Sequence, residues 1–171
     1  MRRTRTELLA GIVAAIVVLA AVPAAFAGLH APQRTPANCA RNQLGVRDNG
    51  TNGAAGTSHG AWVFTNLSDT RCELFGYPDV QLYGRLGRPI PTTVKHSLSP
   101  GPTAVTLAPG ASATFFSTYS DVTSGSPRCP TSAVVGITAP NAAAPLFIPA
   151  QLQACGGVLN VSSVLAGDAP A

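Results

Sequence analysis

Four cysteines, Cys39, Cys72, Cys129 and Cys155, constrain the fold of this 171-residue chain more than any other feature of its sequence. They follow a segment typical of a secretion signal, and an even number of cysteines in an oxidising compartment predicts disulfide bonds. Four cysteines allow three pairings, and we favour Cys39–Cys72 with Cys129–Cys155 because each bond then joins neighbours in the sequence. The sequence has no C-x-x-C pair, which disfavours a zinc site or a redox-active dithiol.

The N-terminal segment has the three parts of a secretion signal in the expected order. Met1–Arg5 carries three positive charges, Leu8–Val22 is apolar, and the small residues Ala25 and Ala27 suit cleavage. We therefore predict a signal peptide over residues 1–27 and a mature chain that is secreted, extracellular or envelope-associated. The alternative is an uncleaved membrane anchor, which the short apolar run disfavours because a helix needs about 20 such residues to cross a bilayer.

The mature chain is expected to carry little charge. Without residues 1–27, its basic residues fall from 11 to eight and its acidic residues from seven to six, which leaves a net charge of +2. Charged residues make up 11% of the whole sequence, whereas about 25% is usual. Nucleic-acid binding needs a clustered basic patch. The densest basic group, Arg85, Arg88 and Lys95, is better explained as a solvated hairpin tip, so we expect no nucleic-acid partner.

Short runs of β-type residues, separated by Gly and Pro, follow one another along the chain after Cys39. Residues 62–65 alternate between two faces, which predicts a strand with Trp62 in the core. Eight runs have this character: Gln43–Arg47, Ala61–Asn66, Val80–Tyr83, Ala104–Leu107, Ser112–Tyr119, Val134–Thr138, Leu146–Ile148 and Val158–Val164. The sequence shows no amphipathic helix of useful length. The pattern predicts an all-β fold, an antiparallel immunoglobulin-like β-sandwich of about eight short strands.

Composition also predicts the limits of the domain. Residues 28–38 have two prolines and no periodicity, so we expect a flexible leader there, followed by one disulfide-stapled β-sandwich domain over residues 39–165. Residues 166–171 are small and polar and are expected to form a disordered tail. Within the domain, we predict a hairpin turn over Gly84–Gly87 and a type II turn at Pro109–Gly110.

One motif bears on catalysis. Gly56–Gly60 matches the G-x-S-x-G pattern of serine hydrolases, with Ser58 as the nucleophile. That pattern requires a strand before it, a helix after it, and an acid and a histidine later in the chain. Asp79 and His96 have the required order, but the sequence shows no alternation of strands and helices. We interpret the motif as a Gly-rich loop that enters a strand, and we predict no catalytic residue.

The histidines and carboxylates show no metal-site pattern. His30, His59 and His96 are far apart in sequence, whereas a metal site usually needs three or four converging ligands. Asp69 and Glu73 are close in sequence, but a glycosidase-type acid pair depends on their distance in space. We therefore interpret these side chains as solvated or hydrogen-bonded, and we predict no metal and no cofactor.

Five segments of the chain carry a resemblance to a known family. They are Cys39 with Gln43–Leu44, Gly53–Gly56, Phe64–Asn66 running into Cys72–Pro78, Leu107–Ala113, and Ala154–Gly157. On these segments, residues 39–163 resemble the secreted bacterial family called domain of unknown function 4232, and Cys72–Pro78 is the most specific part. The resemblance implies an exported or lipid-anchored actinobacterial envelope protein with a β-sandwich domain and no assigned reaction. This chain lacks the lipobox cysteine of other members, which argues against a lipid tether.

These observations together favour a non-catalytic binding or interaction module of the cell envelope or the extracellular medium. The sequence does not name its partner, which we expect to be an envelope or extracellular protein, glycan or lipid. Membrane contact is expected only through an uncleaved signal. The loops Asn49–Gly60 and His96–Pro102, at one end of the sandwich, are the expected contact surface. The alternatives are a small secreted hydrolase that uses Ser58 or carboxylates, and a purely structural envelope protein.

Overall fold

A computed structural model of the chain describes residues 35–123, 125 and 129–171. The strands are β1 (Leu44–Ala54), β2 (Thr57–Asn66), β3 (Cys72–Leu74), β4 (Asp79–Tyr83), β5 (Thr93–His96), β6 (Val105–Leu107), β7 (Ser112–Ser120), β8 (Val134–Thr138), β9 (Leu146–Pro149), β10 (Val158–Val161) and β11 (Leu165–Ala166). Helical structure in the described part is limited to two 3-10 turns, Arg41–Gln43 and Cys155–Gly157. The all-β prediction is confirmed. All eight predicted strands are present, and β3, β5 and β11 are additional.

The strands form three sheets in a sandwich-like arrangement. The main sheet has the order β1-β2-β7-β10-β5, with β11 also paired to β7; β4, β8 and β9 form a second sheet, and β3 pairs with β6. One pair of strands departs from the predicted antiparallel arrangement, because β10 and β5 pair in parallel, from Val158–Thr93 to Val161–His96. Residues 97–157 connect these two strands, and parallel neighbours need such a long crossover. The immunoglobulin-like topology stays a prediction.

The core lies on the inner face of the main sheet. Trp62, Phe64 and Phe115 are fully buried there, and the rings of Phe64 and Phe115 stack with their centroids 5.4 Å apart. The indole N–H of Trp62 donates a hydrogen bond to Ser117 Oγ at 2.9 Å. The predicted core position of Trp62 is therefore confirmed. Because side chains alternate along a strand, Val63 lies on the opposite face of the sheet, called here the outer face.

Both predicted disulfide bonds are present, Cys39–Cys72 and Cys129–Cys155. The first joins the start of the domain to β3, where the backbone N–H of Cys39 also donates to the carbonyl of Glu73. The second joins the segment before β8 to the 3-10 turn before β10. Two disulfides, with no free cysteine among the described residues, indicate an extracellular or otherwise oxidising environment.

The structure can be compared with the N-terminal predictions only from residue 35 onward. The predicted signal peptide, residues 1–27, and most of the predicted leader lie outside the described residues. At the end of that leader, Asn38 forms a bridge with Glu73, so the paired structure begins just before Cys39. In the described part of the chain, no helix has the length and hydropathy needed to span a membrane.

The C-terminal segment differs from the predicted disordered tail over residues 166–171. It begins in β11 and continues along the outer face of the main sheet. There the Thr114 hydroxyl donates to the carbonyl of Gly167 at 2.8 Å and accepts from the N–H of Ala169 at 3.0 Å. We call residues 165–169 the C-terminal strap.

The turn that follows β4 is confirmed only in part. The predicted turn over Gly84–Gly87 is present and is closed by a hydrogen bond from the N–H of Gly87 to the carbonyl of Gly84 at 2.9 Å. A hairpin at this turn would continue in a second arm over residues 88–92, which instead forms a single bridge to β4, through Pro89. Pro89 and Pro91 have no N–H to donate to a ladder, so the next strand begins only at β5.

Candidate functional site

Ser58 lies in a strand and not in the predicted Gly-rich loop. It belongs to β2, which forms one long hairpin with β1, so most of the predicted contact loop Asn49–Gly60 is paired strand. Ser58 is 9% exposed, and its hydroxyl donates to Asp121 Oδ2 at 2.7 Å. A hydrolase nucleophile of the G-x-S-x-G type sits between a strand and a helix, whereas Ser58 is inside a strand that leads to β3.

The histidine side chains of the described residues do not lie beside the Ser58 hydroxyl. His59 follows Ser58 in β2 and therefore lies on the outer face, where its Nδ1 is 3.1 Å from the hydroxyl of Thr118. His96 is in β5, three strands from β2 across the main sheet, which corresponds to about 14 Å at a normal strand spacing. Asp79 is in β4, which belongs to the second sheet. The structure therefore does not bring Ser58, His96 and Asp79 together as a triad.

A buried tyrosine lies beside Ser58. Tyr119 is opposite Ser58 in the register of β2 and β7 and is 5% exposed. Burial raises the pKa of Tyr119, the Ser58 hydroxyl lowers it in part, and the carboxylates of Asp121 and Asp48 raise it again. The phenol is therefore neutral at pH 7. Ser58, Tyr119 and Asp121 together offer hydrogen bonds and a carboxylate. They lack the imidazole that activates serine in triad hydrolases.

The described residues hold no group of three or more His, Cys, Asp or Glu side chains able to bind a metal. Asp69 lies exposed before β3, and Glu73 lies half-buried within it. No hydrogen bond or ion pair joins these two carboxylates, and the single ion pair of the described residues is between Arg47 and Asp168. His30 lies outside the described part of the chain.

The three basic residues expected at one hairpin tip are divided between two elements. Arg85 and Arg88 lie exposed at the turn after β4. Lys95 lies instead in β5, at the edge of the main sheet, where it pairs in register with Asn160. The predicted hairpin tip therefore carries two cations, and Lys95 belongs to a different surface.

An apolar surface lies beside β5. Phe75 is 47% exposed and Leu98 is 86% exposed, which is unusual for side chains of their size. The rings of Tyr77 and His96 stack with their centroids 4.3 Å apart and their planes 3° apart. We call Phe75, Tyr77, His96 and Leu98 the aromatic edge.

Hydrogen bonds to two adjacent residues connect the segment of Phe75 and Tyr77 with the segment of His96 and Leu98. The backbone N–H of Val164 donates to the carbonyl of Gly76 at 3.1 Å. The hydroxyl of Ser163 donates to the carbonyl of Pro100 at 3.3 Å. Because Ser163 and Val164 are consecutive, the chain around Gly76 and the chain around Pro100 lie side by side. The exposed Phe75 and Leu98 therefore lie on the two chain segments that carry the stacked pair.

One part of this surface coincides with the loop His96–Pro102, a contact surface expected from the sequence. Phe75 and Tyr77 belong to the segment Cys72–Pro78, for which the sequence predicts no contact role. The signal that points to them is the position of two aromatic residues on either side of a glycine, directly after a buried strand. A strand of three residues ends at Leu74, so the next side chains leave the core.

The family model described as Domain of unknown function (DUF4232) matches residues 39–165. That range contains both disulfides, Ser58 and the whole aromatic edge. No curated protein and no solved structure gives a significant match to the chain. The model covers most of the sequence and includes all five segments that carry the resemblance, so the chain belongs to the family of domain of unknown function 4232.

Proposed function

We propose that this chain is a secreted, non-catalytic binding module that acts in the cell envelope or the extracellular medium and contacts its partner through the aromatic edge. The observation that carries the proposal is the Tyr77–His96 stack together with two exposed apolar side chains, Phe75 and Leu98, on the segments that hold the stacked rings. Single exposed apolar residues are common and need no explanation, whereas a group of them marks an interaction site.

The chemistry of the aromatic edge suits contact with a partner. Tyr and His side chains present an apolar ring and a polar tip, so they can be buried against a partner while they keep a hydrogen bond. Phe75 and Leu98 have no polar atoms to satisfy, and covering them is favourable by roughly 25 cal/mol per Å² of apolar surface. The chain also has few charged groups, at 11% of its residues, so apolar contact and hydrogen bonding are its main means of recognition.

The surroundings of Ser58 support a role without catalysis. Its hydroxyl is engaged by Asp121, and the neighbouring histidine in the sequence, His59, lies on the other face of the sheet. Secretion is supported by the charged and apolar parts of residues 1–27 and by the oxidising environment that two disulfides indicate.

Binding of the labelled protein to isolated cell envelopes tests the proposal. We expect saturable binding that excess unlabelled protein abolishes, and at least a tenfold loss of affinity in the double variant Phe75→Ser, Leu98→Ser. The matched control is Phe147→Ser, Leu86→Ser, which removes the same residue types at similar exposure, 55% and 84%, elsewhere on the fold. The control variant is expected to bind like the original protein.

Three outcomes would contradict the proposal. Binding that does not saturate favours a purely structural role, and an equal loss in both double variants shows that general surface hydrophobicity was measured. Turnover of ester or glycan substrates that disappears in Ser58→Ala would favour the alternative of a small secreted hydrolase.

A further inference from the structure

A small cavity opens on the outer face of the main sheet, between β1 and the end of β2. Its volume is about 210 Å³, and it is lined by Gly45, Val46, Arg47, Val63, Thr65 and Leu67. Gly45 lies opposite Thr65 in the register and Arg47 lies opposite Val63, so four of the lining residues share one face of the sheet. The cavity lies at the opposite edge of the main sheet from β5 and therefore from the aromatic edge.

The walls of the cavity are apolar, and a glycine creates its space. A Cβ at position 45 would lie 2.9 Å from Leu67 Cδ1, so Leu67 leans over the place that a side chain would otherwise fill. Leu67 remains 70% exposed in this position. The floor includes Val63, which is fully buried. An engineered apolar cavity of about 150 Å³ binds benzene, so a volume of this size accommodates a phenyl ring or a short aliphatic chain.

The only charged residue in the lining, Arg47, already holds a carboxylate. Its guanidinium forms an ion pair with Asp168 of the C-terminal strap. The side-chain amide of Asn49 donates to Asp168 Oδ1 at 2.9 Å and to the carbonyl of Ala169 at 2.8 Å. Arg47, which lines the cavity, and Asn49, which binds the same carboxylate, thus form a two-donor site, and Asp168 occupies it as a resident group.

We propose that this cavity binds a small amphipathic carboxylic acid. The apolar part of the ligand lies against Val63 and Leu67, and its carboxylate takes the place of Asp168 on Arg47 and Asn49. The exchange is accessible because the side chains of Arg47 and Asp168 are about half exposed, at 49% and 47%, and exposed ion pairs contribute little net stability. This site is separate from the aromatic edge and does not depend on the function proposed for it.

Titration of the full chain with 3-phenylpropionate, followed by methyl NMR, tests the site. We expect a dissociation constant of about 1 mM, the range of a fragment-sized ligand, with the largest shifts at Val63 and Leu67. Two control ligands separate the contribution of the apolar cavity from that of the carboxylate donors. The uncharged 3-phenylpropanol lacks the carboxylate and acetate lacks the apolar group, and each is expected to bind at least tenfold more weakly.

Variants test whether Arg47 is the donor that holds the carboxylate of the ligand. Arg47→Gln is expected to weaken binding of 3-phenylpropionate at least tenfold, while the matched exposed arginine variant Arg88→Gln leaves it unchanged. Asp168→Asn removes the resident carboxylate charge and is expected to tighten binding about threefold to tenfold, a gain that misfolding would not produce.

The site is overturned if the alcohol binds as tightly as the acid, if Arg47→Gln has no effect, or if no saturable shifts occur at millimolar ligand. A peptide that ends in phenylalanine is the remaining comparison. Tighter binding of that peptide than of 3-phenylpropionate would replace the free acid by a peptide C-terminus as the occupant.

Discussion

Trp62, the only tryptophan of the chain, places a polar N–H in the middle of an apolar core. Ser117 Oγ accepts this N–H at 2.9 Å, and both residues are fully buried. Gly60 leaves room for the contact, because a Cβ there would lie 3.0 Å from Ser117 Oγ and 3.3 Å from Trp62 Nε1. A buried donor without a partner costs more than the hydrogen bond contributes, so this pair makes Ser117 important for stability.

We predict that Ser117→Ala lowers the free energy of unfolding by about 1–3 kcal/mol, because it leaves the indole N–H buried and unpaired. The matched control is Ser120→Ala in the same strand. The half-buried Ser120 hydroxyl lies within hydrogen-bond distance of the carbonyls of Gly56 and Val122 and has one proton to donate to them. Water can reach these carbonyls after the change, so we expect a loss below about 1 kcal/mol. Urea unfolding followed by Trp62 fluorescence measures both. Equal losses would show that the buried hydrogen bond contributes nothing special.

The same pair shows how far single residues can be predicted. Alternation of apolar and polar residues was enough to place Trp62 in the core. Its partner Ser117 is 55 residues away in the sequence, and nothing near Trp62 identifies it. Ser58 and Asp121 are likewise 63 residues apart. Burial was predictable from local pattern, whereas the polar partners depend on which strands become neighbours.

At the scale of elements, the β1–β2 hairpin is the clearest departure from expectation. Glycines at 50, 53 and 56 favour a loop by composition, yet the strands pair from Leu44–Asn66 to Ala54–Thr57, with one irregularity between Asp48 and Thr51. Only Ala55 and Gly56 remain in the turn, with φ of 53° and 81°. Pairing of β2 along its length to both β1 and β7 outweighs the low strand propensity of glycine.

Two positive φ values in a two-residue turn are typical of a type I′ turn, which favours Asn followed by Gly. Ala55 occupies the first position at a steric cost of about 1–2 kcal/mol. We predict that Ala55→Asn raises the free energy of unfolding by about 0.5–1 kcal/mol, since Asn tolerates this conformation better. Thermal unfolding with both disulfides intact measures the change.

The control for this prediction is Ala54→Asn, one residue earlier in β1. Ala54 is exposed and lies in the strand, where Asn has a low propensity. This variant is expected to be neutral or destabilised. A gain of the same size at both positions would mean that polarity at the hairpin tip, and not the turn conformation, determines the effect.

The sequence predicted every strand with a strong alternating or apolar pattern, and it missed those whose existence depends on tertiary contacts. β3 has three residues and is fixed by the disulfide at Cys72 and by pairing with β6. β5 has largely exposed residues and is fixed by parallel pairing with β10. Of the candidate contact surface, the loop from His96 was predictable from its Pro and Gly content. The contact between His96 and Tyr77 was not predictable, because that contact depends on how β5 and the end of β3 are placed relative to each other.

At the scale of the whole molecule, long-range links hold both ends of the domain to the sheets. Cys39–Cys72 attaches the start of the domain to β3. The C-terminal strap returns to β1 through Arg47 and Asp168, across a sequence separation of 121. Sequence composition gave no sign of this link, because one aspartate among small polar residues is typical of a disordered tail.

The two disulfides close loops of similar length, with sequence separations of 33 and 26. In the chain-entropy model each stabilises the fold by about 3.5–4 kcal/mol, and the difference between them is only about 0.2 kcal/mol. Loop length therefore does not decide which disulfide stabilises the fold more. Burial differs between them: Cys39 and Cys72 are each 1% exposed and belong to the core, whereas Cys155 is 8% exposed and Cys129 is half-buried.

We therefore predict that Cys39→Ala, Cys72→Ala destabilises the protein by at least about 1 kcal/mol more than Cys129→Ala, Cys155→Ala, because removing buried sulfur atoms also leaves a cavity in the core. Urea unfolding of both double variants measures the difference, with the original protein as reference. If the two losses agree within about 0.3 kcal/mol, loop entropy alone accounts for them. A larger loss from the Cys129–Cys155 pair would instead mean that the connection between β7 and β8 depends on its disulfide more than the core depends on Cys39–Cys72.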